Sequence, residues 1–154
     1  MTNNDILRRI RYIFDLDDSK VIAIFAHADL EVSRAQISDW LKKDEDPEFK
    51  DCSDLILAIF LNGFITEKRG AKEGDKPKPE KSLTNNLILM KLKIALNLKA
   101  EDILELLESV DQRLSKHELS AFFRKPNNRQ YRECQNQVLR KLLEGLRKKH
   151  RVNE

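Results

Sequence analysis

The chain has 154 residues, 40% hydrophobic and 36% charged, with a formal net charge of +3. That apolar share supports a core and argues against wholesale disorder, and the length fits one domain or two small repeats. Four Gly and four Pro are too few for the tight turns of a sandwich or barrel, while abundant Leu, Ile, Lys, Glu and Asp point to helices.

A first helix follows Asn3-Asn4, with Ile6, Leu7, Ile10, Ile13 and Phe14 on one face. The Asn doublet reads as its N-cap. A second helix starts near Asp18 or Ser19 and carries Val21, Ile22, Ile24 and Phe25. A third opens with a capping box, Ser33-x-x-Gln36, and should bury Ile37, Trp40 and Leu41. A polar loop with Asp46-Pro47 follows, then a fourth helix from near Cys52, closed by Gly70. This fourth helix is apolar nearly all round from Leu55 to Ile65, so it is either central to the core or part of an oligomer interface.

The same series then recurs. Shifted by 82 residues, the chain aligns with itself without a gap from Asn3/Asn85 to Arg69/Arg151, with fourteen identities over 67 positions. Roughly one in sixteen is expected from ordinary composition, so gene duplication is the simplest explanation. Copy two repeats the Asn85-Asn86 doublet, the capping box Ser115-x-x-Glu118 and a fourth helix from near Cys134. Its fourth helix is amphipathic, with Arg140 and Lys141 where copy one has Ala58 and Ile59. Gly63 and Gly145 occupy equivalent positions inside helices, where Gly costs about 1 kcal/mol. Close helix–helix approach, such as that of the two copies across a pseudo-two-fold axis, offsets that cost. Residues 71–84 have no apolar periodicity and read as a solvated linker. The expected fold is therefore all-α: two tandem four-helix repeats, 1–70 and 85–151, packed with pseudo-two-fold symmetry. A repeat of this size buries little apolar surface alone, so each copy is expected to need the other.

No catalytic, cofactor or metal constellation is present in the sequence. His27, His117 and His150 lack metal-ligand spacing, and there is no C-x-x-C. Cys52 and Cys134 lie at equivalent positions and read as small buried hydrophobes. Phosphate-binding Gly-rich loops and nucleophile elbows are missing. Acidic clusters, Asp15 to Asp18 and Asp44 to Glu48, lack calcium-loop spacing and read as solvated surface. No apolar run approaches the ~18 residues of a membrane span, and the first 14 residues lack a signal-peptide pattern, so a cytoplasmic protein is expected.

Charge is more informative. Residues 1–69 carry net −4, residues 70–84 net +1 and residues 85–154 net +6. The copies are electrically opposite. Attraction to phosphate, pairing with an acidic surface within or between chains, and cations suited to a helix C-terminus all follow from such a pattern.

Ser33-Arg34-Ala35-Gln36-Ile37-Ser38-Asp39-Trp40 resembles the recognition helix of Cro-type helix-turn-helix repressors, where S-R-x-x-I-S-x-W is frequent. Ser115 to Phe122 keeps the frame and is more basic. The resemblance implies DNA contacts through the third helix; in the basic second copy Lys116, Arg124, Lys125, Arg129 and Arg132 begin or follow that helix and are the candidate contacts to nucleic acid or to an acidic partner. At whole-chain scale, Asn3-Asn4-Asp5-Ile6-Leu7-Arg8, Asp39-Trp40-Leu41-Lys42-Lys43, Phe60 to Gly70, Asn85-Asn86-Leu87-Ile88-Leu89 and Tyr131-Arg132-Glu133-Cys134 resemble the bacterial YehS-like family. That family is a duplicated domain of unknown function, and the likeness implies the fold pattern and a bacterial cytoplasmic setting without site residues. The expectation is thus a non-enzymatic binding or scaffold protein that uses no cofactor or metal. An unidentified protein is its leading partner. Self-association remains open, and nucleic-acid binding through the third helix and basic second repeat is the alternative.

Overall fold

In the computed structural model, residues 1–151 are described and fold as eight helices with no strand among them. They are α1 (Asn3–Ile13), α2 (Asp18–His27), α3 (Arg34–Leu41), α4 (Asp54–Arg69), α5 (Asn85–Ala95), α6 (Ala100–Glu108), α7 (Lys116–Ala121) and α8 (Asn136–His150). The fold is all-α, two tandem four-helix repeats. The chain divides into two compact units, Met1–Leu83 and Thr84 onward.

The helix starts differ from expectation at α1 and α5. The caps are Thr2 and Thr84, whose hydroxyls accept from the amides of Asp5 and Leu87 at 3.1 Å. The Asn doublets fall inside the first turn, where a side chain can reach past the helix to other backbone. The capping boxes at Ser33 and Ser115 form as expected. The ends of α1, α2, α5 and α6 explain the scarcity of Gly. Asp15, Asp29, Asn97 and Asp111 take positive φ, between 52° and 64°. Asp and Asn tolerate that region better than other side chains. At each end an amide bonds back five residues, as Leu16 to Arg11, Leu30 to Phe25, Leu98 to Lys93 and Gln112 to Leu107. These are Schellman-type closures built on Asp and Asn.

In the first unit α4 lies along α2 and also touches α1, while α3 packs on α1 and α2. Its core is aromatic: Phe25 lies 5.5 Å from Trp40 and 5.3 Å from Phe60, ring centre to ring centre, and Phe14 lies 5.3 Å from Phe64. Phe14 and Leu41, expected inside, are half-buried at helix ends. Despite its apolar circumference, α4 leaves Leu55 exposed and Ile56, Ile59 and Ile65 half-buried. In the second unit α8 packs on α6 and α5, and α7 on α6. There Leu107, Leu142 and Leu146 replace Phe25, Phe60 and Phe64, all fully buried or nearly so. Residues 71–78 are solvated, as expected of a linker, yet Lys76 Nζ donates to His27 O at 2.9 Å and to Asp29 Oδ1 at 2.8 Å. Lys148 Nζ donates to the equivalent carbonyl, that of Ser109, at 2.9 Å.

The two helical glycines answer to a contact within each repeat, not between copies. A Cβ built on Gly63 would stand 1.9 Å from the carbonyl oxygen of Ile24 on α2. One on Gly145 would stand 2.5 Å from that of Leu106 on α6. The backbones of α4 and α2, and of α8 and α6, meet at these glycines. In an open helix Gly→Ala would stabilise by roughly 1 kcal/mol. Here the sign reverses, because backbone oxygen cannot yield as a side-chain tip can. Gly63→Ala is expected to destabilise by about 3 kcal/mol or more and Gly145→Ala by about 2 kcal/mol, read by urea denaturation. An increase in stability at either site contradicts this packing.

Candidate functional site

The loop joining the third and fourth helices of each repeat is the most elaborated non-helical segment of the fold. Both loops are held by a buried Asn. Asn4 Nδ2 donates to Trp40 O and Lys50 O, each at 2.9 Å, and Asn4 Oδ1 accepts from Cys52 N at 3.0 Å. In the second repeat Asn86 Nδ2 donates to Phe122 O at 3.0 Å and Arg132 O at 2.8 Å, and Oδ1 accepts from Cys134 N at 2.9 Å. The neighbouring Asn3 and Asn85 add bonds to Cys52 O and Cys134 O. These two doublets are loop clasps, which corrects their reading as N-caps. A second side chain shapes each loop locally: Asp46 Oδ1 accepts from Glu48 N, and Asn128 Oδ1 from Gln130 N, both at 2.8 Å. A backbone bond closes each, Lys50 N to Asp39 O at 3.1 Å and Arg132 N to Ala121 O at 3.2 Å.

On this shared frame the charges reverse. Residues 42–53 hold three Lys against five carboxylates, net −2. Residues 124–135 hold four basic residues against Glu133, net +3. In the first loop one of the three lysines is paired and one carboxylate is answered from α1. Lys42 pairs with Asp39 at 2.6 Å, and Arg8 reaches Asp44 Oδ1 at 3.1 Å and Lys42 O at 2.9 Å. The second repeat has Ala121 in place of Asp39, Met90 in place of Arg8 and Pro126 in place of Asp44. Arg124, Lys125, Arg129 and Arg132 are therefore exposed and carry no ion pair among the described residues. Arg124, Asn128, Arg129 and Gln130 rim an open depression of about 770 Å³.

The structure separates one candidate from the other four. Lys116 is the first residue of α7, at its far end from the loop, and pairs with Glu101 at 3.0 Å. The helix that was to present DNA contacts, α7, has six residues. On α3, Arg34 bonds Ser19 Oγ at 3.1 Å and faces Asp18 at 3.6 Å, so its charge is partly answered.

Other titratable groups sit quietly. Burial pushes the Cys52 thiol up to about 12 and the Cys134 thiol up to about 11, so both are protonated at neutral pH. Burial raises Glu67, but hydrogen bonds from His27 at 3.1 Å and Lys20 at 3.4 Å outweigh it and leave the carboxyl below its usual range. The Ser115 amide and hydroxyl of the capping box lower Glu118. No three His, Cys, Asp or Glu side chains group as a metal-binding set among the described residues. No helix among them is long and apolar enough to cross a membrane. The sequence had shown the basic residues; the clasp that presents them was missed, because its acceptors are loop carbonyls 36 and 46 residues away.

A duplicated four-helix repeat with clasped α3–α4 and α7–α8 loops defines the class of protein. The chain belongs to the family described as protein of unknown function (DUF1456), whose model matches residues 3–70 and 85–151. It is 40% identical over 155 residues to the uncharacterized protein YehS of Escherichia coli (strain K12), covering 100% of this chain and 99% of that relative. No solved structure matches the chain.

Removing a clasp leaves two loop carbonyls and one amide without their buried partner, so Asn86→Ala is expected to cost about 3 kcal/mol in urea denaturation. Asn127→Ala, exposed on the same loop, should stay within about 0.5 kcal/mol. Equal effects at the two positions contradict the clasp.

Proposed function

We propose that this chain is a non-enzymatic binding protein of the cytoplasm that docks an acidic protein surface on the α7–α8 loop of its second repeat. One observation carries the reading. The same clasped loop occurs twice, and only in the second repeat is it net positive, with four exposed cations that carry no ion pair among the described residues. Exposed, unpaired Arg on a fixed backbone favours recognition of carboxylates, because the guanidinium fork matches their geometry and little ordering remains on binding. Protonated thiols and carboxylates shifted downwards support binding rather than catalysis, since neither is set up for nucleophilic or general-acid work at neutral pH.

Fluorescence anisotropy with labelled polyglutamate and, separately, duplex DNA tests this. Polyglutamate should bind in the micromolar range at low salt and weaken about tenfold or more as salt rises to physiological strength. Arg124→Glu with Lys125→Glu should weaken it a further tenfold or more. A clear preference for duplex DNA, with a salt slope that flattens by about one unit per lost phosphate contact, reassigns the loop to nucleic acid. Affinity weaker than about 100 μM for both probes, the weak edge of non-specific binding, removes the docking role.

A further inference from the structure

We infer that the basic loop of the second repeat binds the acidic loop of the first repeat on another copy of this chain, joining molecules head to tail. This rests on the docking role of residues 124–135 and names its partner. The two loops have equal length and the same internal bonds, including the Asp46 or Asn128 turn and the Asn4 or Asn86 clasp. Each therefore presents its side chains from a fixed backbone on its own repeat. The contrast in charge lies at the loop tip, where Asp44 corresponds to Pro126, Glu45 to Asn127, Asp46 to Asn128, Pro47 to Arg129 and Glu48 to Gln130, while Lys42, Lys43, Lys50 and Asp51 keep their sign in the second loop. Glu45 and Glu48 are exposed and carry no ion pair among the described residues, as is true of Arg124, Lys125 and Arg129. The depression rimmed by Arg124 and Arg129 is open and wide enough, at about 770 Å³, to admit carboxylate side chains.

Charge also fixes the mode of contact. Two acidic loops repel, and so do two basic loops, which rules out an isologous pairing of like with like. A single acid-on-base contact leaves one acidic and one basic loop free, which either pair with each other in a closed two-fold dimer or take up further copies. In the second case the assembly grows into a larger ring or an open chain. An outside acidic protein needs its own complementary surface, whereas this chain carries both halves at equal concentration.

Sedimentation velocity over a concentration series, at low and high salt, reads the association. Two variants separate the sources of charge. The first is Glu45→Lys with Glu48→Lys, which makes both loops basic. The second is Arg124→Glu with Lys125→Glu and Arg129→Glu, which makes both acidic. None of these five side chains makes a hydrogen bond or ion pair among the described residues, so the clasped frame is left intact. Circular dichroism checks the fold, and the single changes Glu48→Lys and Arg129→Glu replace either variant if it misfolds. The wild type should associate at low salt and dissociate at high salt. Each variant alone should be a monomer, and an equimolar mixture of the two should associate again. Wild type that stays monomeric while still binding polyglutamate overturns the second-copy inference and leaves the docking role standing. Association that survives in either variant, or a mixture that stays monomeric, overturns it as well. Pairing of the two loops within one molecule overturns it too, because it gives a monomeric wild type even where the two variants associate on mixing.

Discussion

A buried primary amide needs both of its N–H groups and its oxygen answered, and in this fold that need organises the longest connection of each repeat. Asn4 is 2% exposed and Asn86 5%. Each joins three points far apart in sequence: the end of the third helix, the return of the loop and the approach to the fourth helix. Leaving one of these groups unpaired costs about 1–3 kcal/mol, a large part of the stability of a small domain. The loop backbone is thereby specified by a side chain outside it. Its own exposed side chains are released from any structural duty beyond the Asp46 or Asn128 turn.

That release is what allows one backbone to carry two electrical characters. In the first repeat Lys42 is answered by Asp39, and Asp44 by Arg8. Ala121 in place of Asp39 removes the counter-charge of the first lysine position, and the acidic stretch 44–48 becomes neutral or basic, without touching the clasp. The cores diverged in the same manner, since leucines fill in the second repeat the positions that phenylalanines fill in the first. What does not differ between the repeats is backbone meeting backbone: Gly63 against Ile24, Gly145 against Leu106. No side chain can be placed there, so the two glycines are tied to the fold and not to any function.

How much of this was legible in the sequence depended on the range of the interaction. The repeat, the helices and the Ser33 and Ser115 capping boxes rest on spacings of three or four residues and could be read directly. The glycine pair was visible as a pattern, but the partner helix belongs to tertiary packing, and the expected contact between copies proved to be one within each copy. The Asn doublets were assigned to the wrong task because Asn at a helix start is most often a cap, and Thr2 and Thr84 hold that position. Of the site, the cations Arg124, Lys125, Arg129 and Arg132 were evident, while Lys116 drops out through a pairing with Glu101 that crosses two helices. The charge contrast of −4 and +6 was readable as a sum. Which charges stand unanswered required the positions of Asp39 and Arg8 in space.

The claim beneath all of this is that a buried Asn holds each loop rigid, and amide hydrogen exchange measures it most directly. The amides of Cys52 and Cys134 lie outside any helix, and each donates to its Asn. Both should exchange about a thousandfold or more slowly than the exposed loop amides of Glu45 and Asn127. Asn86→Ala should abolish protection at Cys134 while leaving Cys52 protected. Cys134 exchanging in the wild type as fast as Asn127 would contradict the account.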